Sequence, residues 1–577
     1  MTFRARLVLA VVVALLILQP LVVLGERGVG ALLDGTLESV LTGAQVGTLF
    51  ANSIFLALLT TLFACLLALP AIWVLGLFSV RGEGFFTALL AVPLIIPPHI
   101  HTIAWTRVLG DKGWLSVWLS EQGLDVNVRL PLASGEGLLA HIYPGPAWVM
   151  AAAFFPLVAL PVIMTLRRMD RDGWDALRLF MPGRRALVAR ALAEAAPAFA
   201  AGLVAVFALS LMTYPVVSLL DTPVLVQKVH FVFSQVDQSA GALLALPLVV
   251  IGVLAVLILA RLEGSLMAGL SGTLRPRERA GGLPMAVLLV ALVLGAGLPL
   301  GSLLREAGPL ALGAGVDNYQ SVFARTQEAF RDTGLLLLVA MPVMLILALA
   351  GGRLMARGKV GVIDALAALP FALPPVAVGV ALLLNVSAMD AGEAAWASVL
   401  AGILAGLCAG GSVRERLLIA GSAALAGFLL QEVLGASGLA RGLFVEGPVL
   451  PVLGWLALYL PLAARLLRFA FLRVDQDAVD AARLMGASSF ARFRLAEWPH
   501  VRGTLAAVAL LTLILCMTEL SATLLLLRPG WQFLQVRIFN MVHYQSAGEV
   551  AALCVLVLLA TLLPLLVVRL AFREKRS

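Results

Sequence analysis

The sequence predicts an all-α polytopic membrane protein, a bundle of transmembrane helices in two parallel pseudo-symmetric halves with about 12 to 14 spans. First, 61% of the residues are hydrophobic and only 13% are charged, which is unlike a soluble domain. Second, continuous apolar runs of roughly 17 to 25 residues recur, the length of a membrane-spanning helix. These runs lack the alternation of barrel strands. Third, features of the first half recur in the second.

The apolar runs predict fourteen spans in order along the chain. They lie near residues 7–25, 50–79, 85–108, 146–166, 199–220, 241–260, 284–303, 334–352, 361–385, 394–411, 417–432, 451–470, 503–526 and 548–570. The two spans predicted within 394–432 are short, and without them the chain has twelve. A polar linker rich in Gly, Pro and Arg follows the sixth span. It divides the chain into a first membrane domain at 1–262, a cytoplasmic linker at 263–283 and a second membrane domain at 284–577.

The basic residues predict how the chain is oriented. Only four lysines accompany 37 arginines, and most of these lie near the ends of the apolar runs. This distribution follows the positive-inside rule rather than a nucleic-acid-binding surface, and it places both termini in the cytoplasm. The first apolar run is expected to be an uncleaved span. Cys65, Cys408, Cys516 and Cys554 lie within apolar runs and are interpreted as packing residues.

A polar segment between two spans occurs twice and is the most informative motif. Its shared positions are Asp175, Ala176, Gly183 and Pro197 in the first copy, and Asp480, Ala481, Ala482, Gly486 and Pro499 in the second. Each copy predicts a short helix, a turn at glycine and a second helix leading to proline. Leu484 and Met485 would be exposed there unless a partner covered them. Two copies favour a docking site over an amphipathic connector lying on lipid.

Other positions repeat or differ between the halves and suggest a path through the bundle. Pro93-x-x-x-Pro97-Pro98 is echoed by Pro370-x-x-x-Pro374-Pro375, and Met212-Thr213 by Met517-Thr518. An acidic residue within a span is costly unless it faces protein or water, and Glu519 corresponds to Tyr214 in the first half. The candidate path residues are Glu519, Tyr214, Thr213, Thr518, His99 and Trp105. The alternatives are a carboxylate at the outer interface and a histidine that forms local hydrogen bonds.

The second copy of the loop resembles the E-A-A-x3-G-x9-I-x-L-P signature of membrane subunits of ATP-binding-cassette (ABC) importers. Asp480 replaces the Glu of this signature, whereas Ala481, Ala482, Gly486 and Pro499 match in register. The paired loops, the twin proline motifs and the final ELSATLLLLRP segment resemble fused two-half permeases of the iron(III) type. Their thiamine, phosphonate and polyamine relatives are similar. The resemblance covers nearly the whole chain except residues near 386–450.

This resemblance implies a multi-pass permease subunit in a bacterial inner membrane, with both termini cytoplasmic. The two loops would bind an ABC ATPase dimer, and an external substrate-binding protein would deliver the substrate. No phosphate-binding P-loop motif is present, so ATP would be bound by the partner, and we expect no cofactor, metal site or enzymatic activity in this chain. The resemblance ranks iron(III) first, then thiamine, phosphonate or polyamine. The rival interpretations are a secondary carrier and a membrane-embedded enzyme.

Overall fold

The computed structural model describes most of the chain, with gaps mainly between helices. The described residues are 10–40, 42–124, 127–129, 143–168, 184–270, 279–308, 314–356, 373–390, 395–408, 413–436 and 447–573. Within them the secondary structure is helical, apart from one isolated bridge between Ser79 and Arg279. The predicted all-α fold is confirmed.

The described helices occur in the following order along the chain. They are α1 (Ala10–Leu33), α2 (Thr36–Val40), α3 (Gly43–Gly76), α4 (Glu83–Ile95), α5 (Pro98–Leu109), α6 (Trp114–Glu121), α7 (Pro144–Arg167), α8 (Arg184–Met212), α9 (Tyr214–Leu219), α10 (Leu225–Gln235), α11 (Gln238–Leu270), α12 (Gly282–Ala307), α13 (Ala314–Ala356), α14 (Pro375–Asp390), α15 (Ala395–Cys408), α16 (Val413–Ala436), α17 (Val449–Leu472), α18 (Gln476–Leu484), α19 (Phe490–Thr518), α20 (Thr523–Leu526), α21 (Leu534–Met541) and α22 (Ala547–Arg573). Several contain proline or a π-helical turn.

Among the described residues, ten helices are long and apolar enough to cross a membrane. An eleventh span results if α4 and the helices from Pro98 to Glu121 are counted together, although they are bent by 95° at Ile96–Pro97. Pro97 and Pro98 cannot donate backbone hydrogen bonds, which explains the break. The count is below the predicted 12 to 14 because α14 and α15 are short, α16 carries charges and residues 361–372 lie outside the described residues.

The predicted repeat assigns most helices of the first half a counterpart in the second. α1, α3, α5 and α7 correspond to α12, α13, α14 and α17. After the loop, α8, α9, α10 and α11 correspond to α19, α20, α21 and α22. The pair α15 and α16 has no counterpart in this order. It packs on α1, where buried Gln19 donates a 3.0 Å hydrogen bond to Ser398.

The two halves exchange packing partners reciprocally. α1 packs on α11 of its own half and on α14 of the other half. Correspondingly, α12 packs on α22 of its own half and on α5 of the other. Ile100 and Ile103 of α5 are buried in one hydrophobic cluster with Leu303 of α12 and Leu553 of α22. The apolar core therefore continues across the boundary between the halves.

Two predicted spans end earlier than the sequence suggested. The spans predicted at 199–220 and 503–526 were expected to be continuous, but α8 ends at Met212 and α19 at Thr518. A short helix follows each end, α9 and α20. In the first half Pro215 stands in the first turn of α9 and removes a backbone donor. In the second half the Glu519 carboxylate accepts the backbone N–H groups that begin α20.

We define two ends of the bundle by contacts that lie about 30 Å apart along α13. The loop end carries α18, and Arg353 near the end of α13 contacts Glu497 there. The Ala280 amide donates to the Ser79 carbonyl (3.0 Å), joining the start of α12 to the turn between α3 and α4. The opposite end carries α10 and α21, because Leu534 contacts Thr333, which is 20 residues before Arg353 on α13.

Candidate functional site

The loop between α17 and α19 forms a compact, well-capped turn. The Asp475 carboxylate caps α18 by accepting from the Asp477 amide (3.0 Å). At the other end, Gly486 adopts a φ of +78°. Its amide donates to the Arg483 carbonyl, and the Ala487 amide donates to the Ala482 carbonyl, both at 3.0 Å. This is the Schellman arrangement, which favours glycine at its left-handed position. The predicted turn at Gly486 is confirmed.

This turn presents apolar side chains to the surface. Leu484 is 89% exposed and Met485 is 82% exposed, as the sequence predicted for this helix where nothing covers it. Together with the exposed residues Phe490 and Leu495 they form what we name the docking surface. Asp480 and Ala481 are also exposed, whereas Ala482 faces inward and is buried. An exposed apolar surface on a polar loop is typical of a protein interaction site.

The docking surface is joined rigidly to the transmembrane helices. Glu497 is buried and forms a two-point ion pair with Arg353 of α13, at 2.6 Å and 2.8 Å. The Arg353 guanidinium also lies over the Phe493 ring, 5.4 Å from its centroid. Pro499 follows a π-helical turn at Phe493–Glu497, which accommodates the missing proline donor, and the helix continues to Thr518. Movement of the loop would therefore be transmitted to α13 and α19.

The first copy of the loop is only partly described. Asp175, Ala176 and Gly183 lie outside the described residues, so their predicted role stays a prediction. Pro197 lies inside α8, as Pro499 lies inside α19. Glu194, the counterpart of Glu497 in the repeated Leu-Ala-Glu sequence, is exposed rather than buried. The two copies therefore differ in the burial of this glutamate.

The path candidates of the first half cluster at the opposite end of the bundle. Tyr214 is buried, and its ring stacks on His230 at 4.3 Å with an interplanar angle of 19°. Ser218 donates to the Tyr214 hydroxyl (3.2 Å). The Thr213 hydroxyl donates to the Leu209 carbonyl within its own helix (2.6 Å). Thr213 thus forms a local bond, whereas Tyr214 belongs to an aromatic cluster.

The path candidates of the second half form hydrogen bonds at the end of α19. The Thr518 hydroxyl donates to the Leu515 carbonyl (3.2 Å), another local bond. Glu519 is buried, and its carboxylate accepts from the Ala522 amide (2.7 Å) and the Thr523 amide (2.8 Å). The Thr523 hydroxyl also donates to this carboxylate, and Trp455 donates to the Thr523 hydroxyl (3.0 Å). Glu519 therefore holds the turn that ends α19.

The remaining candidates lie on α5, after the proline break. His99 is buried, and its Nε2 is 2.7 Å from Oε1 of Gln535, a residue of the second half. His101 instead contacts the Pro93 carbonyl eight residues earlier, at 3.1 Å. Trp105 is buried edge-to-face against Trp148, with ring centroids 5.6 Å apart. Of the α5 candidates, the contact described for His99 crosses between the halves.

A polar anchor that occurs in both halves and holds the starts of α10 and α21 was not predicted from the sequence. The Ser53 hydroxyl accepts from the Leu225 amide, and the Thr333 hydroxyl accepts from the Leu534 amide, both at 2.9 Å. The residues just before Ser53 and Thr333 bind the segments that lead into α10 and α21. Asn52 donates to the Pro223 carbonyl (2.8 Å), and Asp332 accepts from the Gln532 amide (3.0 Å). An Asn-Ser pair near the start of one apolar run and an Asp-Thr pair just before another were the signal that could have revealed these anchors.

Comparisons with known proteins give a relationship over part of the chain. No family model matches it. A segment of 120 residues is 36% identical to the thiamine transport system permease protein ThiP of Brucella abortus, covering 20% of this chain and 22% of that protein. A segment of 91 residues is 33% identical to PhnV of Salmonella typhimurium, named as a 2-aminoethylphosphonate transport system permease protein, covering 16% and 34%. The chain thus matches about a fifth to a third of these relatives' length.

These matches confirm, over the matched segments, the resemblance to importer permeases. The proteins that match these segments are permease proteins of two transport systems for small organic compounds. The multi-helix architecture agrees with such a role. The chain is therefore a polytopic helical membrane protein with homology to transport-system permeases.

Proposed function

We propose that the chain is the membrane permease subunit of an ATP-driven importer of the ABC type. The docking surface carries this proposal, because Leu484 and Met485 stand almost fully exposed on a rigid turn. A partner that covers them would gain apolar burial. Through the Glu497–Arg353 ion pair, the movement of that partner would reach α13 and α19. A cytoplasmic ATPase dimer contacting both loops would thereby drive the halves between two arrangements.

The substrate is proposed from the relatives. Their names specify thiamine and 2-aminoethylphosphonate, both small organic compounds, so we place thiamine first among the substrates to test. Iron(III), which the sequence resemblance ranked first, stays a prediction, as does a polyamine. A substrate-binding protein at the opposite end of the bundle would deliver the ligand to α10 and α21. In this proposal the loop end and both termini face the cytoplasm.

Association with the ATPase tests the proposal. Replacing Leu484 and Met485 by glutamate should abolish co-purification of the ATPase subunit expressed with the chain, because the buried apolar contact is lost. Leu304→Glu is the matched control, since Leu304 is also an exposed leucine but lies on α12 towards the opposite end. The control should bind the ATPase normally. If wild-type chain binds no ATPase and instead transports with an ion gradient alone, a secondary carrier is the correct interpretation.

A further inference from the structure

The hydrogen bond between His99 and Gln535 connects the two halves inside the bundle. His99 lies in the first turn of α5 and is 0% exposed, and Gln535 lies in the first turn of α21 and is 1% exposed. Their Nε2 and Oε1 atoms are 2.7 Å apart. The neighbouring Leu534 is anchored to Thr333, so the pair lies towards the opposite end from the docking surface. Separation of the halves there would break this bond.

Each partner of this bond keeps a polar atom that is buried and has no hydrogen-bond partner among the described residues. These atoms are Nδ1 of His99 and Nε2 of Gln535. With Gln535 Oε1 as acceptor, His99 carries its proton on Nε2, so its Nδ1 is an acceptor and the Gln535 amide nitrogen is a donor. A buried polar atom without a partner is destabilising. The pair therefore costs stability that a purely structural contact would avoid.

The corresponding positions of the other half show that the fold does not need this pair. The matching anchors on Leu225 and Leu534 make Val226 the counterpart of Gln535. The matching proline pairs make Val376 the counterpart of His99. Both valines are buried, and their helices α10 and α14 pack together. Two valines suffice at this place in one half, so the polar pair in the other half has a different purpose.

Aromatic rings surround the same region. Phe539 lies one helical turn from Gln535 on α21, and its ring centroid is 6.3 Å from that of Tyr214. Tyr214 stacks on His230 of α10, and α9 also packs on α5. The region thus combines flat aromatic faces with one hydrogen-bond donor and one acceptor. Flat rings favour a planar ligand, and a cationic ring gains further from their π-electrons.

Resting on the proposed function, we propose that these residues form a substrate-contact site of the path, specific for a planar nitrogen heterocycle with an exocyclic amine. When the halves separate, the His99–Gln535 bond opens. The Gln535 amide nitrogen then donates to a ring nitrogen of the substrate, and His99 Nδ1 accepts from its amine. Tyr214, His230 and Phe539 contact the ring face. Reformation of the bond behind the substrate closes the path.

The experiment uses the complete importer in vesicles, with radiolabelled thiamine as the probe. The double variant His99→Val with Gln535→Val installs the pair found at Val376 and Val226. It should fold and bind the ATPase as wild type does, but thiamine uptake should fall by about tenfold or more, as expected when substrate hydrogen bonds are lost. Thr326→Val is the control, because it removes a different buried polar group, a hydroxyl whose described hydrogen bond lies within α13. Its uptake should be unchanged.

Other outcomes separate this inference from the proposed function. Wild-type uptake of thiamine by the double variant, with ATPase binding intact, would overturn the substrate-contact site alone. A wild-type importer that takes up labelled 2-aminoethylphosphonate but not thiamine would overturn the heterocycle class. Loss of ATPase binding by the wild-type chain itself would instead contradict the proposed function.

Discussion

Glu519 ends one helix and begins the next with a single carboxylate. The hydrogen bonds described for its two oxygens are all accepted, from the Ala522 amide, the Thr523 amide and the Thr523 hydroxyl. An amide at this position would direct its NH₂ group towards backbone donors. Glu519→Gln should therefore destabilise the protein by about 1–3 kcal/mol, the cost of a buried donor without an acceptor.

Thermal unfolding of the purified chain measures this effect. Thr512→Val is the control, because the Thr512 hydroxyl is buried in α19 and its described hydrogen bonds stay within that helix. Its unfolding temperature should lie closer to that of wild type. An unchanged temperature for Glu519→Gln, accompanied by lost transport, would show that Glu519 acts on the substrate rather than on the turn.

A substitution of Gly486 tests the docking surface. A Cβ atom placed there meets nothing within 4 Å, so Gly486→Asp should leave the chain folded in the membrane. Its cost comes from the φ of +78° and is about 1 kcal/mol or less, since Asp tolerates this region better than most residues. The new charge lies beside the docking surface and should abolish ATPase co-purification. Gly530→Asp, with a φ of +90° and equally open surroundings, should retain it.

At the scale of elements, the Glu497–Arg353 ion pair couples the loop to α13. Arg353→Met would remove this ion pair from the buried Glu497 carboxylate and should cost about 3 kcal/mol or more. Adding Glu497→Met removes that charge and should restore most of the thermal stability, since an apolar pair can replace a buried ion pair. Substrate-stimulated ATP hydrolysis should stay impaired in the double variant. Recovery of both properties would mean that the ion pair only stabilises the fold.

The elements differ in how far the sequence predicted them. α18 and its turn followed from Asp, Ala and Gly at fixed spacing, because capping and a left-handed glycine are local properties. The ends of α8 and α19 did not follow, because hydropathy continues across Met212 and Thr518 while hydrogen bonds and a proline end the helices. The partner of His99 was also hidden, since Gln535 lies more than 400 residues away in the chain.

At the scale of the whole molecule, cysteine labelling tests the predicted orientation of the chain in the membrane. If the loop end is cytoplasmic, a cysteine at Leu484 should react only with a membrane-permeant reagent in intact cells. A cysteine at Gln45, exposed near the start of α3, should react with an impermeant reagent applied from outside, because α3 begins at the opposite end. A reporter fused after Ser577 should be active only if it functions in the cytoplasm. The reverse labelling pattern would show that the predicted orientation is wrong and that the loop end lies outside.

The overall architecture was predictable in its class and order but not in its packing. Apolar runs and repeated prolines indicated the helices and the two halves, because span length and backbone breaks are encoded locally. Which helix packs on which depends on three-dimensional contacts between distant segments. The sequence therefore gave no sign that α5 joins the core of the second half or α14 that of the first.

The reciprocal packing of α1 and α12 constrains how the chain can be made. When the ribosome has completed the first half, the face of α5 that packs on α12 and α22 still has no neighbours, because α22 ends only at Arg573. In the same interval α1 lacks α14. The first half therefore stays incompletely packed in the bilayer until α22 has been synthesised. Because both halves belong to one polypeptide, each first half is followed by one second half, which supplies the helices on which α1 and α5 pack.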